Sequence, residues 1–372
     1  MSNICDLKKC TGCFTCINSC PRDAISVKIA SSGKTIPEID NEKCINCNLC
    51  RKNCPVNKDF DGVYPTDCVA AQWKSDERIN SASGGVATAI GYYALDNNVH
   101  IFGSVFDDDF TLSIRELRDR DDLAKASGSK YVQSNVGLSF RQVKNYLLNG
   151  DSVVYVGTPC QIDGLRSFLG KKYDNLVTID IVCHGNPPYS YFKTYLKEKK
   201  FVGVTSASFR GKNDYYLCLF NKTNMIYKRW HKRDLYFQAF DEGIINRDNC
   251  YSCRYANPNR VSDITIGDFW GLNRSELSKN LDGKISVVLI NTEKGRTFWN
   301  NVEHLFVTER RPIDEAVKGN PHLHKCNPAS ENYMTFSSNY VNMGFSKAIK
   351  KTGIHKRMLR LWLRDMKKRL LK

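Results

Sequence analysis

The chain has 372 residues, more than a single hydrophobic core usually serves, so length favours a main domain plus at least one smaller module. Its 41% hydrophobic and 11% aromatic residues, with only 24 Gly and 11 Pro, exclude global disorder and any collagenous or low-complexity chain. A formal charge of +16 would point to nucleic acid or an anionic membrane, but Lys347 to Lys372 hold eleven Lys and Arg against the one acid Asp365, so basicity is a property of the tail.

Residues 1–58 hold nine of the sixteen cysteines and no apolar segment of signal-peptide type, so a cytoplasmic chain with metal or redox chemistry is expected rather than a secreted disulfide framework. Cys10, Cys13, Cys16 and Cys20 precede Pro21, and Cys44, Cys47, Cys50 and Cys54 precede Pro55 at the same spacing, an internal repeat. This is the run of bacterial two-cluster ferredoxins. Three thiolates two residues apart wrap one face of a cubane while the fourth reaches the other cluster. The expected ligand sets for two [4Fe–4S] clusters are therefore Cys10, Cys13, Cys16 and Cys54, and Cys44, Cys47, Cys50 and Cys20. Two zinc ribbons, the competing reading, would use paired Cys-x-x-Cys units at longer separation. Ala24 to Val27 and Ile36 to Ile39 are expected to be short strands, Gly12 lets backbone amides approach sulfur, and Cys5 falls outside the pattern.

Asp59 to Thr66 reads as a linker, and a second domain is expected over 66–310. Strand-type runs are Cys68 to Trp73, Val99 to Phe106, Ser152 to Val156, Leu176 to Val182, Val204 to Phe209, Asp263 to Gly267 and Ser286 to Ile290. Helical patterns cover Gly84 to Leu95, Val136 to Leu148, Pro159 to Leu169, Pro188 to Lys199 and Thr292 to Leu305. The expected fold is thus an α+β ferredoxin-like two-cluster module followed by a larger α/β domain, whose parallel or mixed sheet places sites at strand carboxyl ends. No apolar run approaches the roughly 20 residues needed to span a bilayer.

Residues 311–346 read as an irregular extension and 347–372 as a basic amphipathic helix. In that helix Ile354, Met358, Leu361, Trp362, Met366 and Leu370 form an apolar stripe, while Lys356, Arg357, Arg360, Arg364, Lys367, Lys368 and Lys372 fill the rest. Such a helix suits peripheral contact with anionic lipid at the inner face of a membrane; equally, the stripe suits packing on the protein's own body.

Four further cysteines sit in turns at element ends. Cys160 follows Gly157, Thr158 and Pro159, Cys183 precedes His184 and Gly185, and Cys250 and Cys253 form a Cys-x-x-Cys. Zinc sites and dithiol centres share that motif, and cysteines at strand ends also serve as small buried hydrophobes, so these residues leave a metal site open. In SASGGVATAI, Ser83, Gly84 and Gly85 open a small-residue helix whose free amides suit a pyrophosphate, or equally a capped, tightly packed helix start. SGSKYVQS adds Lys130 and Tyr131, a cation and an aromatic in a polar loop.

Taken in order behind the cysteine repeat, SASGGVATAI, GSKYVQS, GTPCQIDGLRSFLG, DIVCHGNPP and CYSCRYANPNRVSDITIGDFWG resemble the coenzyme F(420) hydrogenase/dehydrogenase beta-subunit family over roughly residues 5–310. Relatives of that family include bacterial and plant chlorophyll-pathway reductases. The resemblance implies that the larger domain is FAD-binding. It implies a third [4Fe–4S] cluster at Cys160, Cys183, Cys250 and Cys253. It also implies flavin-contacting loops at Ser83, Gly84, Gly85 and Thr88, at Lys130, at Gly157 and Thr158, and at Asp268.

The expected function is an FAD-dependent iron–sulfur oxidoreductase passing electrons between [4Fe–4S] clusters and a two-electron acceptor or donor. Its partners would be a redox protein or low-potential donor and a small acceptor that the sequence does not name; nucleic acid is not expected. A non-catalytic electron-transfer subunit of a larger complex is the rival reading. His184 is either a proton donor near the flavin or a structural residue of its turn.

Overall fold

The computed structural model describes residues 3–211, 214–360 and 363. In the first 58 residues, short helices α1 (Thr15–Ser19) and α2 (Leu49–Lys52) flank the antiparallel hairpin β1 (Ile25–Ile29) and β2 (Thr35–Ile39), paired Ile25 with Ile39. The repeat is also conformational: Phe14 and Asn48, each one residue past the second cysteine of its run, take left-handed φ values of 54° and 58°. Such a conformation in a bulky residue is strained and persists where surroundings fix it. The module's own hydrophobic cluster is chiefly thiols, with Cys5, Cys16, Cys20 and Cys54 packed beside Ile4, Ala24 and Ile25. A piece this small lacks an adequate apolar core, which is where bound metal clusters substitute.

The larger domain begins with β3 (Asp67–Trp73), α3 (Val86–Asp96), β4 (His100–Phe106), β5 (Leu112–Leu117), α4 (Arg120–Ala126) and α5 (Ser139–Leu148). It continues through β6 (Val153–Gly157), α6 (Pro159–Leu169), β7 (Leu176–Ile181), α7 (Tyr189–Glu198), β8 (Ser206–Ser208), β9 (Tyr216–Asn221), β10 (Asn224–Trp230) and α8 (Leu235–Asp241). After these come β11 (Ile264–Asp268), β12 (Ser286–Ile290), α9 (Glu293–Val302), β13 (Phe306–Arg310), α10 (Ile313–Gly319) and α11 (Glu331–Lys351).

Eight strands form one mixed sheet in the order β13-β3-β12-β11-β7-β6-β4-β5, with β4, β6, β7 and β11 parallel. Strands β3 and β12 lie inside it and are apolar on both faces, as covered sheets require. A second, antiparallel sheet β10-β9-β8 joins α7, α8 and α11 around an aromatic core that includes Tyr191, Phe192, Phe209, Tyr236, Phe336 and Phe345.

Elements β5, β9, β10, β13, α4, α8, α10 and α11 lie outside the expected runs, and several in the C-terminal half have clear causes. The hairpin β9–β10 carries little signal because β10 is exposed along most of its length, so its side chains need not alternate. The stretch 311–346, read as irregular, is instead largely α10 and α11. Within α11, Gly344 (φ 73°, ψ −174°) breaks the helix, and the Glu198 carboxylate accepts from the amides of Phe345 and Ser346 at 2.7 Å to restart it. The apolar period shifts across that break, which hides it from a single-period reading. Beyond α11 the chain is helical again over residues 354–360, where Ile354 is buried and Met358 packs on the aromatic core, so the described start of the tail stripe faces the protein's own body. Leu361, Trp362, Arg364, Met366, Lys367, Lys368, Leu370 and Lys372 lie outside the described residues. Among the described residues no helix is long and apolar enough to cross a membrane.

Candidate functional site

The module's thiols gather in two groups. Burial raises the Cys16 thiol well above its ordinary range, and the neighbouring Cys13, Cys10 and Cys54 push it further. Cys20, Cys44, Cys47 and Cys50 together line a hollow with Ile25 and Ile39, of about 610 Å³ counted out to solvent. The fourth cysteine of each run therefore sits with the other run's first three. The first group is mostly buried, whereas Cys47 is exposed. Local donors surround the sulfurs: the Ala24 amide donates to Cys20 Sγ at 3.2 Å, and the Thr15 hydroxyl lies 3.3 Å from Cys13 Sγ. Cys5, outside the spacing pattern, is buried against the first group; its hydrogen bond is the largest influence pulling the Cys10 thiol down to about 6.

Cys160 opens α6, Cys183 follows β7, and Cys250 and Cys253 bracket the end of the 3-10 turn Asp248–Ser252. The fold brings them together: burial raises the Cys160 thiol, with Cys183 and Cys253 adding to it, and raises Cys250, with Cys183 and Cys253 again adding. Burial likewise lifts Cys183 to about 12. Thr158 caps α6 through a capping box and places its hydroxyl 3.2 Å from Cys160 Sγ. One turn later Gly164 allows contact with the module, since a Cβ there would stand 2.6 Å from Thr15 Oγ1 and 3.2 Å from Cys13 Sγ. The second-domain quartet thus adjoins the first module group. A fifth cysteine, Cys326, donates to the Tyr251 carbonyl at 3.6 Å and acts on Cys253; it arrives from a segment with no motif, and no sequence signal marked it.

Among the described residues no three His, Cys, Asp or Glu side chains close on a single ion. A four-iron cluster binds four thiolates through different irons, so thiols set wider apart than one ion's coordination shell are what it requires.

On the other side of Cys183 a cleft of about 1660 Å³, counted out to its mouth, opens at the carboxyl ends of β6, β7 and β11. Ser83, Gly85, Thr88, Lys130, Gly157, Thr158 and Asp268 line it, as do Cys183 and His184, and every lining residue follows Thr66. Gly84 lies behind the wall: a Cβ would meet the Ala71 carbonyl at 2.3 Å, so glycine lets the start of α3 press onto the sheet. Gly85 has φ 88°, and no side chain caps α3, leaving its first amides free toward the cleft.

Lys130 is half-buried. Its ammonium donates to the carbonyls of Ser127 (3.0 Å), Gly128 (3.2 Å) and Ala126, and burial lowers its pKa to about 7. All three partners are neutral, so the site has room for an anion's charge. Tyr131 is packed inward, stacked on Phe240 at 4.4 Å between centroids. Asp268 is paired with Arg210, whose guanidinium lies 4.4 Å from the Tyr215 ring centroid, so its carboxylate is held by the protein. His184 packs on Phe240 at 5.1 Å and edge-on to His322 at 4.5 Å, and its Nε2 has no hydrogen-bond partner. Burial, and then His184, lower His322 to about 4, so both imidazoles are neutral near pH 7. His322 and Asn320 were missed in the sequence. They reach the cleft because Gly319 crosses the Trp270–Gly271 backbone so closely that a Cβ would lie 1.9 Å from the Trp270 carbonyl oxygen.

Residues 150–316 match the family described as the C terminus of the coenzyme F420 hydrogenase/dehydrogenase beta subunit, and residues 9–58 match the 4Fe-4S dicluster domain. An uncharacterised polyferredoxin-like protein of Methanocaldococcus jannaschii is 39% identical over 64 residues, which is 15% of this chain; the match spans only 38% of that protein's length. Among solved structures, a chain of the F420-reducing [NiFe] hydrogenase complex from Methanosarcina barkeri is similar over 78% of this chain and 91% of that one, at 18% identity and a TM-score of 0.45.

Proposed function

We propose that the chain, whose residues 150–316 match the C terminus of the coenzyme F420 hydrogenase/dehydrogenase beta subunit behind a 4Fe-4S dicluster domain, is an FAD-dependent iron–sulfur oxidoreductase. The observation that carries this reading is the position of Cys183, which belongs to the second-domain cysteine quartet and also lines the cleft. The cleft fits a dinucleotide: a half-buried lysine with neutral partners, uncapped amides at α3, a glycine at left-handed φ, and apolar walls such as Ile101, Phe102 and Ile266. When bound, FAD exchanges electron pairs with one partner and single electrons with another.

The protein's own residues order the route. Cys47 meets solvent beside exposed Ile45 and Leu49, a surface where a redox partner protein would dock. Cys20, Cys44, Cys47 and Cys50 hold the outer cluster, and Cys10, Cys13, Cys16 and Cys54 the inner one. Cys160, Cys183, Cys250 and Cys253 hold a third at the wall of the cleft. Lys130 and the amides of α3 would take the phosphates, and Gly157 and Thr158 line the cleft wall beside Cys160. His184, His322 and Asn320 present neutral hydrogen-bonding groups to a two-electron partner at the far end.

The test is flavin and acceptor content together. Full-length protein purified without oxygen should hold about one FAD per chain and reduce or oxidise a small two-electron acceptor. A protein that only relays electrons would carry iron and no flavin, and that outcome would replace this reading with the relay.

A further inference from the structure

We propose that Arg247 is a shared counter-ion of the two inner clusters, those of Cys10, Cys13, Cys16 and Cys54 and of Cys160, Cys183, Cys250 and Cys253, and that its charge raises the reduction potential of both. The inference rests on the cluster assignments above.

Arg247 is 3% exposed, at the junction of the two domains. Its Nη1 donates to Thr35 Oγ1 and Gln133 Oε1, both at 3.1 Å. Its Nη2 donates to the Cys10 carbonyl at 3.2 Å and the Thr35 carbonyl at 3.0 Å, while Nε has no hydrogen-bond partner. None of these acceptors is anionic. The adjacent acid, Asp248, feels the Arg247 charge, but its carboxylate is hydrogen-bonded to Lys34 and Tyr333 rather than to the guanidinium. A guanidinium taken out of water among neutral acceptors is costly unless a negative charge faces it.

Sulfur supplies that charge on two sides. Arg247 Nη2 reaches the Cys10 carbonyl, and the Cys250 amide donates to the Arg247 carbonyl at 3.0 Å, so the residue is tied to one ligand of each group; its charge favours the thiolate of both. The loop is shaped around the guanidinium: a Cβ on Gly12, between Cys10 and Cys13, would lie 3.1 Å from Arg247 Cζ and 2.4 Å from Gln133 Nε2. A fixed positive charge beside a cluster in a poorly screened interior favours the added electron and so raises the potential. The outer cluster's ligands, Cys44, Cys47 and Cys50, are at or near the surface, where solvent screens such a charge. Arg247 would therefore pull electrons from the outer cluster toward the cleft.

The experiment uses the full chain, reconstituted without oxygen, and titrates each cluster by EPR at controlled potential in wild type, Arg247→Gln and Arg247→Lys. Expected is a fall in both inner midpoints for Gln, measured against the outer cluster as internal reference, and near wild-type midpoints for Lys. A Gln variant with full iron content and unmoved inner midpoints overturns the proposal, as does an equal shift of all clusters. Where Gln does not assemble, Lys decides: midpoints held by lysine support a charge effect, and a fall despite the retained charge refutes it. Iron content separates these outcomes from failure of the cluster reading, because a missing second-domain cluster removes about four irons in wild type too.

Discussion

Full-length protein assembled without oxygen will contain about twelve iron atoms per chain, eight in the cysteine repeat and four behind the cleft. Single substitutions should subtract from that total in an order that the thiol grouping dictates. Cys20→Ser and Cys44→Ser should remove the same EPR signal although they lie in different runs, because both line one hollow. Cys54→Ser should instead act like Cys10→Ser, since both thiols press on Cys16. Cys160→Ser or Cys253→Ser should leave about eight irons and both module signals. Stoichiometric zinc with little iron would refute the assignment, and so would loss of one signal by Cys20→Ser and Cys10→Ser together.

Replacing Lys130 by Met should weaken FAD binding by about 10- to 100-fold, the range for losing one charge-assisted contact to phosphate. The effect should depend on pH, with a sign set by burial. Burial disfavours the ammonium and lowers its pKa to about 7, while a bound phosphate would restore the charged form. Binding then takes up a proton above pH 7, so wild-type affinity should be greatest below it and fall by up to about tenfold per pH unit above it. Lys130→Met removes the titrating group and should flatten the profile. Fluorescence titration of FAD between pH 6 and 8.5 reads both effects; parallel profiles of equal affinity would remove Lys130 from the phosphate site.

Much of this site was legible because its chemistry is local in the chain. Cysteines separated by two or three residues, as in Cys10 to Cys20, need no knowledge of the fold; the turn bearing Gly157 and Thr158 ends β6, whose apolar run marks it, and Ser83 and Gly85 lead into α3, whose small-residue run marks it. Residues brought in by long-range packing were not legible. His322 and Asn320 depend on the Gly319 crossing, and Cys326 meets Cys253 only through the returning C-terminal segment. The inner face of Tyr131 and the pairing of Asp268 with Arg210 are likewise tertiary facts. Helix α11 was hidden because Gly344 splits its apolar period, and the surface strand β10 because little on it is buried.

The central claim is that electrons reach the cleft through the cysteine sites of this one chain. The most direct test mixes oxidised holo-protein with a reduced one-electron carrier protein in an anaerobic stopped-flow cell and follows bleaching of the flavin band. Wild type should bleach in step with cluster reduction, and Cys160→Ser with its FAD and module irons intact should bleach more slowly by about tenfold or more. Equal flavin reduction rates in the two proteins would contradict the account.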